Sequence, residues 1–190
     1  MVWRGVNADM AMALNVIVAL LELWAFRKVW NRKWMNLVFY TQISNILTFV
    51  SSLAFLALGR GAVMLRYTSV CMMVMTALVT VFILVPMGGD PKKLLWSGNG
   101  LYHHVICPLI TTVSYVFFEP HAGFTFLWLP VGVTLLYGLV MLALNGKELV
   151  DGPYPFFRIR HQSPGATVVW TIALVGLMAA ISALVGLAAG

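Results

Sequence analysis

The sequence predicts an all-α fold, a polytopic transmembrane bundle of six spans forming a single domain over residues 1–190. Three observations carry that expectation. Hydrophobic residues make up 61% of the chain and charged residues 9%, with a mean hydropathy of +0.91, whereas an ordinary soluble domain is about a quarter charged. Six apolar stretches come near the roughly 20 residues that a helix needs to cross hydrocarbon: Met10–Phe26, Trp34–Leu58, Tyr67–Met87, Leu101–Phe118, Phe124–Leu144 and Ala166–Ala189. The cationic side chains alternate between loops, as expected for a chain threaded back and forth.

The first stretch has its positive charges after the apolar run, in "FRKVWNRKW", and no A-x-A-like cleavage site follows. It reads as a retained helix and not as a signal peptide. Glu22 lies late in this span, where it snorkels or meets headgroups, or else orients a histidine.

The second stretch, "NLVFYTQISNILTFVSS", is the most polar of the six. Thr41, Ser44, Asn45, Thr48 and Ser52 recur at steps of three and four residues and so share one helix face. In a bilayer that face turns toward neighbouring helices. Interhelical bonding accounts for the hydroxyls, while the amide of Asn45 has more donors and acceptors to satisfy.

The third stretch contains Cys71, and the turn after it, "MGGDPKK", lacks the phosphate-cradling Walker spacing. The fourth, within "SGNGLYHHVICPLITTVSYVFFEP", carries His103 and His104 just inside an apolar run. These point about 100° apart on a helix, His104 with Pro108, Thr111 and Tyr115, His103 with Cys107 and Ser114. Ionisable residues inside spans mark function by default; the alternative is an interfacial imidazole that reaches headgroups or caps the helix start. Glu119, at the far end of this span, is expected to snorkel. The fifth and sixth stretches rest on length and composition alone.

Nine of the 12 cations, Arg27, Lys28, Arg32, Lys33, Lys92, Lys93, Lys147, Arg158 and Arg160, fall in loops 1–2, 3–4 and 5–6. Arg4, Arg60 and Arg66 fall on the other side. The bias orients the former loops to the cytoplasm, and explains the net charge of +6 without nucleic acid. Trp30, Trp34, Trp96 and Tyr102 fit an interfacial aromatic belt. Cys71 and Cys107 lie within spans and make no disulfide framework. There is no internal repeat of 20–50 residues, and the reading calls for no metal and no cofactor.

Spans two and four start from the same membrane face. Thr41 is then about 10 Å deep and His104 roughly 5 Å deep, at 1.5 Å per residue. A hydroxyl and an imidazole at similar depth in a water-poor site form a nucleophile and its general base. Cys71 enters from the opposite face, out of reach of His104, and both thiols are expected to pack as small apolar residues.

"FYTQISNIL", "LYHHVICPLITTVSYVFFEP" and "DGPYPFFRIRHQSPGA" resemble, in order, the helix-two, helix-four and Tyr-Pro-Phe loop signatures of a family. These are the prokaryotic six-span membrane proteins related to the androgen-induced and androgen-dependent intramembrane hydrolases of animals. The resemblance implies a threonine–histidine hydrolase of acyl-ester lipids, in animals the fatty acid esters of hydroxy fatty acids, in a prokaryotic cell membrane. It places the threonine on Thr41 and the histidine on His104, with His103 as the other possibility. A cysteine-dependent acyltransferase branch of similar architecture makes Cys71 the alternative nucleophile.

The loop also has a reading of its own. Pro153 and Pro155 flank Tyr154 and prevent a helix. With Phe156 and Phe157 the segment is expected to lie in the membrane interface, as an aromatic anchor or a gate for lipid, with Arg158 and Arg160 toward headgroup phosphates.

The expected chemistry is a dyad: His104 takes the Thr41 proton, Thr41 attacks the ester carbonyl, and water releases the acyl group. Asn45 donates to the oxyanion or holds the hydroxyl. The partner is a membrane lipid or fatty-acid ester. The competing class is a small transporter or a lipid-binding or assembly protein, although the sequence shows no inverted repeat and no pair of broken helices.

Overall fold

The computed structural model describes residues 7–29 and 37–188. Arg4, Trp30, Arg32, Lys33, Trp34 and Ala189 lie outside the described residues, as does the side chain of Lys28. Seven α-helices follow one another: α1 (Ala8–Val29), α2 (Tyr40–Leu58), α3 (Val63–Val79), α4 (Gly98–Leu101), α5 (Cys107–Phe118), α6 (Trp128–Gly146) and α7 (Pro164–Ala188). No strand occurs among the described residues.

Among the described residues, five helical stretches are long and apolar enough to cross a membrane: Ala8–Arg27, Tyr40–Leu84, Gly98–Phe118, Trp128–Gly146 and Pro164–Ala188. The second of these runs for 45 residues, but it is folded back on itself. Gly59 takes a left-handed φ of 54° and opens a 3₁₀ turn, Gly59–Ala62, a backbone setting that glycine adopts without a Cβ penalty. Beyond the turn, Ser51 bonds Ser69 at 2.9 Å and Ser44 bonds Thr76 at 2.9 Å. The partner numbers run in opposite directions, so α2 and α3 are an antiparallel hairpin.

Helix α3 is the hub. It packs on α2 and α5 on one side and on α6 and α7 on the other, while α1 closes the first group against α2 and α5. Its residues Tyr67, Val70, Cys71, Met72 and Met73 are fully enclosed. The Tyr67 hydroxyl donates to the Ser182 carbonyl at 2.7 Å, tying α3 to α7. Leucines, valines and isoleucines on α1 and α7, such as Leu20, Val169 and Leu184, remain outward-facing, as a lipid-facing surface requires.

The stripe on α2 points inward as expected: Ser44, Asn45, Thr48 and Ser52 are all enclosed. Several boundaries differ. α2 begins at Tyr40, so Thr41 sits in its first turn and not seven residues into the helix. α3 begins at Val63, four residues before the expected start, which places Arg66 inside a helix instead of in a loop.

There Arg66 meets Glu119. The guanidinium Nε and Nη2 donate to the two carboxylate oxygens at 2.8 and 2.7 Å, with both side chains essentially inaccessible. Nη1 reaches Ser52 at 3.2 Å and Ser51 at 3.3 Å, while Asn15 and Ser114 donate to Glu119 at 2.8 and 2.6 Å. The expected snorkelling of Glu119 is therefore corrected. A carboxylate at this depth is stable because a bidentate arginine and two further donors satisfy it.

Candidate functional site

Eighteen residues separate the end of α3 from the start of α4 by way of two π-helical turns, Thr80–Leu84 and Lys92–Trp96, and a third, Tyr102–Ile106, joins α4 to α5. The third carries both histidines. A π turn inserts one residue into the helical count and re-aims side chains, and such turns recur at functional sites. All three contribute to the border of one polar cleft of about 790 Å³, lined among others by Thr41, Gln42, Lys93, His103, His104 and Arg158.

His104 is held from behind. Its Nδ1 lies 2.7 Å from the Leu94 carbonyl. A carbonyl can only accept, so in the neutral ring the proton is on Nδ1 and the lone pair is on Nε2. That is the tautomer a general base needs, with a backbone carbonyl in the orienting position that a carboxylate takes in a full triad.

His103 is enclosed and differently engaged. Its Nδ1 faces the Gln42 amide nitrogen at 3.4 Å, and its Nε2 faces Glu22 Oε2 at 3.7 Å. Glu22 does not snorkel; it is fully enclosed beside this imidazole, with the Cys107 thiol next to it. Of the two expectations for Glu22, the histidine contact is the one observed.

Thr41 stands in a wall. With Leu84 and Tyr154 it borders both the cleft and a narrow apolar slot of about 60 Å³ between α2, α3, α6 and α7. The Thr41 amide donates to the Tyr154 hydroxyl oxygen at 3.3 Å, and the two hydroxyls are also 3.3 Å apart. With its oxygen already accepting, the phenol has its proton available for Thr41 Oγ1, and the threonine's own proton is left for a base. Burial pushes the Tyr154 phenol above its usual pKa, and the bonds to Thr41 draw it back down. A raised tyrosine keeps its proton through the neutral range, so the phenol can donate to Thr41 Oγ1 until pH rises into the alkaline range.

The Tyr-Pro-Phe segment turns its rings into the bundle, and Tyr154 and Pro155 border the cleft. Tyr154, Phe156 and Phe157 are all enclosed. Phe156 stacks on Tyr154 at 5.3 Å and meets Trp170 of α7 at 5.6 Å, while Phe157 meets Tyr137 of α6 at 5.7 Å. Pro155 opens a 3₁₀ turn, which its fixed φ favours. Arg160 does not face phosphates unpaired; it bonds Glu148 at 3.1 Å and Asp151 at 3.3 Å. Arg158 is exposed at the cleft.

The structure thus brings Thr41, His103 and His104 to one cleft and leaves Asn45 and Cys71 outside it. Asn45 donates to the Thr41 carbonyl at 2.6 Å, so it holds the backbone of that residue and not its hydroxyl. Cys71 is fully enclosed in the core near Tyr67 and Ser182. Gln42 and the Leu94 carbonyl were not expected at the site. Gln42 had a signal, an amide one step off the stripe; a backbone carbonyl has none.

One glycine sets the histidine's support. A methyl group on Gly100 would collide with the Lys93 carbonyl and come within 2.7 Å of Leu94 O. Gly100→Ala is expected to displace that oxygen from His104. Loss of a neutral hydrogen bond worth about 1 kcal/mol shifts the tautomer ratio roughly fivefold, which imidazole ¹⁵N chemical shifts would measure.

No protein-family model, curated protein or solved structure matches the chain.

Proposed function

We propose that this chain is an intramembrane hydrolase of acyl-ester lipids, with Thr41 as nucleophile and His104 as general base. We further propose that it crosses the membrane six times and belongs with the six-span hydrolase relatives that its motifs resemble. The observation that carries the reading is the position of Thr41, in the wall between an apolar slot and a polar cleft that His104 also lines. An ester lipid has the same division, an apolar chain on one side of a carbonyl and a polar remainder on the other.

In this reading the chain end occupies the slot and the carbonyl lies at the wall. His104 Nε2 accepts the Thr41 proton as Oγ1 bonds to the carbonyl carbon. The tetrahedral intermediate collapses with cleavage of the ester C–O bond, and the alcohol leaves with the proton from His104. Water then adds to the acyl-threonine with the same base, releasing a fatty acid and restoring the hydroxyl. General-base assistance of this kind contributes about 10²–10⁴-fold. Tyr154 steadies Thr41 by its hydroxyl.

Six crossings follow from counting the α2–α3 hairpin as two. The placement of loops 1–2, 3–4 and 5–6 in the cytoplasm is supported by the removal of Arg66 from the opposite tally, since it is enclosed by Glu119, and by Lys93 and Arg158 at the cleft.

A fluorophosphonate probe tests the reaction. Purified protein in nanodiscs is expected to be labelled, with labelling lost in Thr41→Ala and retained in Cys71→Ala. Labelling that survives Thr41→Ala, or uptake driven by a pH gradient in a protein that never labels, overturns the reading; the latter outcome favours a transporter.

A further inference from the structure

The group of helices around α1 contains polar atoms that the dyad does not use. Among the described residues, both carboxylate oxygens of Glu22 and the Nε2 of His103 are enclosed and lack a hydrogen-bond partner, with the Cys107 thiol standing beside Glu22. Glu22 Oε2 and His103 Nε2 face each other at 3.7 Å, too far for a direct hydrogen bond and at a separation where water serves as the bridge. A bare carboxylate in this setting costs several kcal/mol, and a native interior rarely leaves such groups without a proton or solvent partner.

Among the described residues the surroundings supply no other counter-charge. α1 packs on α2, on α5 and on the π turn Tyr102–Ile106. From α5 and that turn the titratable groups are Cys107, His103 and His104, with Tyr102 against Trp24 of α1 and Tyr115 turned to Tyr67. α2 carries no charged residue, and its phenol, Tyr40, bonds Thr134 of α6 on the far side at 2.8 Å. On α1 itself, Arg27 is exposed, five residues beyond Glu22. The other enclosed carboxylate, Glu119, has Arg66; Glu22 faces the imidazole and the Cys107 thiol.

Access is one-sided. His103 borders the cleft, and Glu22 lies behind it. We propose that Glu22 and His103 form a buried proton-binding site, loaded and emptied through the cleft by way of the imidazole. Its ligand is the proton itself, and it does not rest on the hydrolase reading.

The site has a consequence for the cleft. While His103 Nδ1 is unprotonated, it accepts from the Gln42 amide NH₂. Once the ring becomes an imidazolium, Nδ1–H donates, and Gln42 must present its carbonyl oxygen instead. Each passage of a proton through the ring to Glu22 therefore turns over the amide next to Thr41. The proton that ester hydrolysis releases at neutral pH is one source of load, and bulk pH is the other.

Infrared difference spectroscopy on the full chain in nanodiscs tests this without substrate. The wild type is expected to show a protonated-carboxyl stretching band that titrates with pH and shifts in D₂O. The band should vanish in Glu22→Gln, remain at a displaced frequency in Glu22→Asp, and change its titration midpoint by at least tenfold in proton concentration in His103→Gln. If Glu22→Gln fails to fold, the Glu22→Asp shift makes the assignment. A wild-type spectrum with no such band, one whose band ignores pH and D₂O, or one unchanged by both Glu22 substitutions overturns the proposal. A folded Glu22→Gln protein that loses the band but still labels at Thr41 separates this site from the dyad.

Discussion

His104→Ala is expected to lower ester turnover by about 10²–10⁴-fold, the contribution of a general base, while the protein inserts and purifies normally. The reason is local. His104 bonds only the Leu94 carbonyl on the side away from its basic nitrogen, and its ring is half-buried, so its removal leaves no enclosed charge without a partner. His103→Ala should separate from it in kind. That ring holds Gln42 and stands against Glu22, so its loss isolates an enclosed carboxyl and lowers stability before it lowers the chemical step. Turnover per folded molecule, paired with a detergent-denaturation midpoint, distinguishes the two. Equal loss of turnover per folded molecule in both variants would withdraw the assignment of the base to His104.

Arg66→Ala should give the largest stability loss of any single substitution in the bundle. Breaking one partner of an enclosed ion pair costs about 3–5 kcal/mol. Here Glu119 would keep only the donors Asn15 and Ser114, and Ser51 and Ser52 would lose an interhelical partner. Replacing both ends by apolar residues, Arg66→Met with Glu119→Leu, should recover most of the loss, because no uncompensated charge remains. Denaturation midpoints of the two single variants and the double give the test: the double should lie above both singles. A double less stable than either would show that the pair does more than neutralise itself.

The helical content, the apolar character and the inward stripe on α2 were legible because hydrophobicity and helical spacing act locally. Ser44, Asn45, Thr48 and Ser52 needed only their three- and four-residue steps to be placed. The boundaries were less legible: α3 starts at Val63 because the Gly59 turn is short, and a hydropathy pattern places a charged Arg66 outside a span. Its partner lies 53 residues away, and nothing in a local pattern links the two.

At the candidate site, Thr41 and the paired histidines border one cleft, with Thr41 in the first turn of its helix and not about 10 Å into it. The π turn was invisible because it changes the count of residues per turn without a distinctive composition. The packing of Tyr154 was hidden for a related reason. Pro153 and Pro155 disfavour a helix, but they do not say what the ring will pack on; stacking on Phe156 and bonding to Thr41 decide that.

The guanidinium buried on α3 also constrains how the chain is made. At about 5–20 residues per second, the 53 residues between Arg66 and Glu119 take roughly 3–10 s to synthesise. Throughout that interval the nascent hairpin holds a cation whose anion does not yet exist. Ser51 and Ser52 precede it and can shield it, but only the arrival of Glu119, just after α5, neutralises it. The early helices therefore stay short of their final packing until the later one emerges.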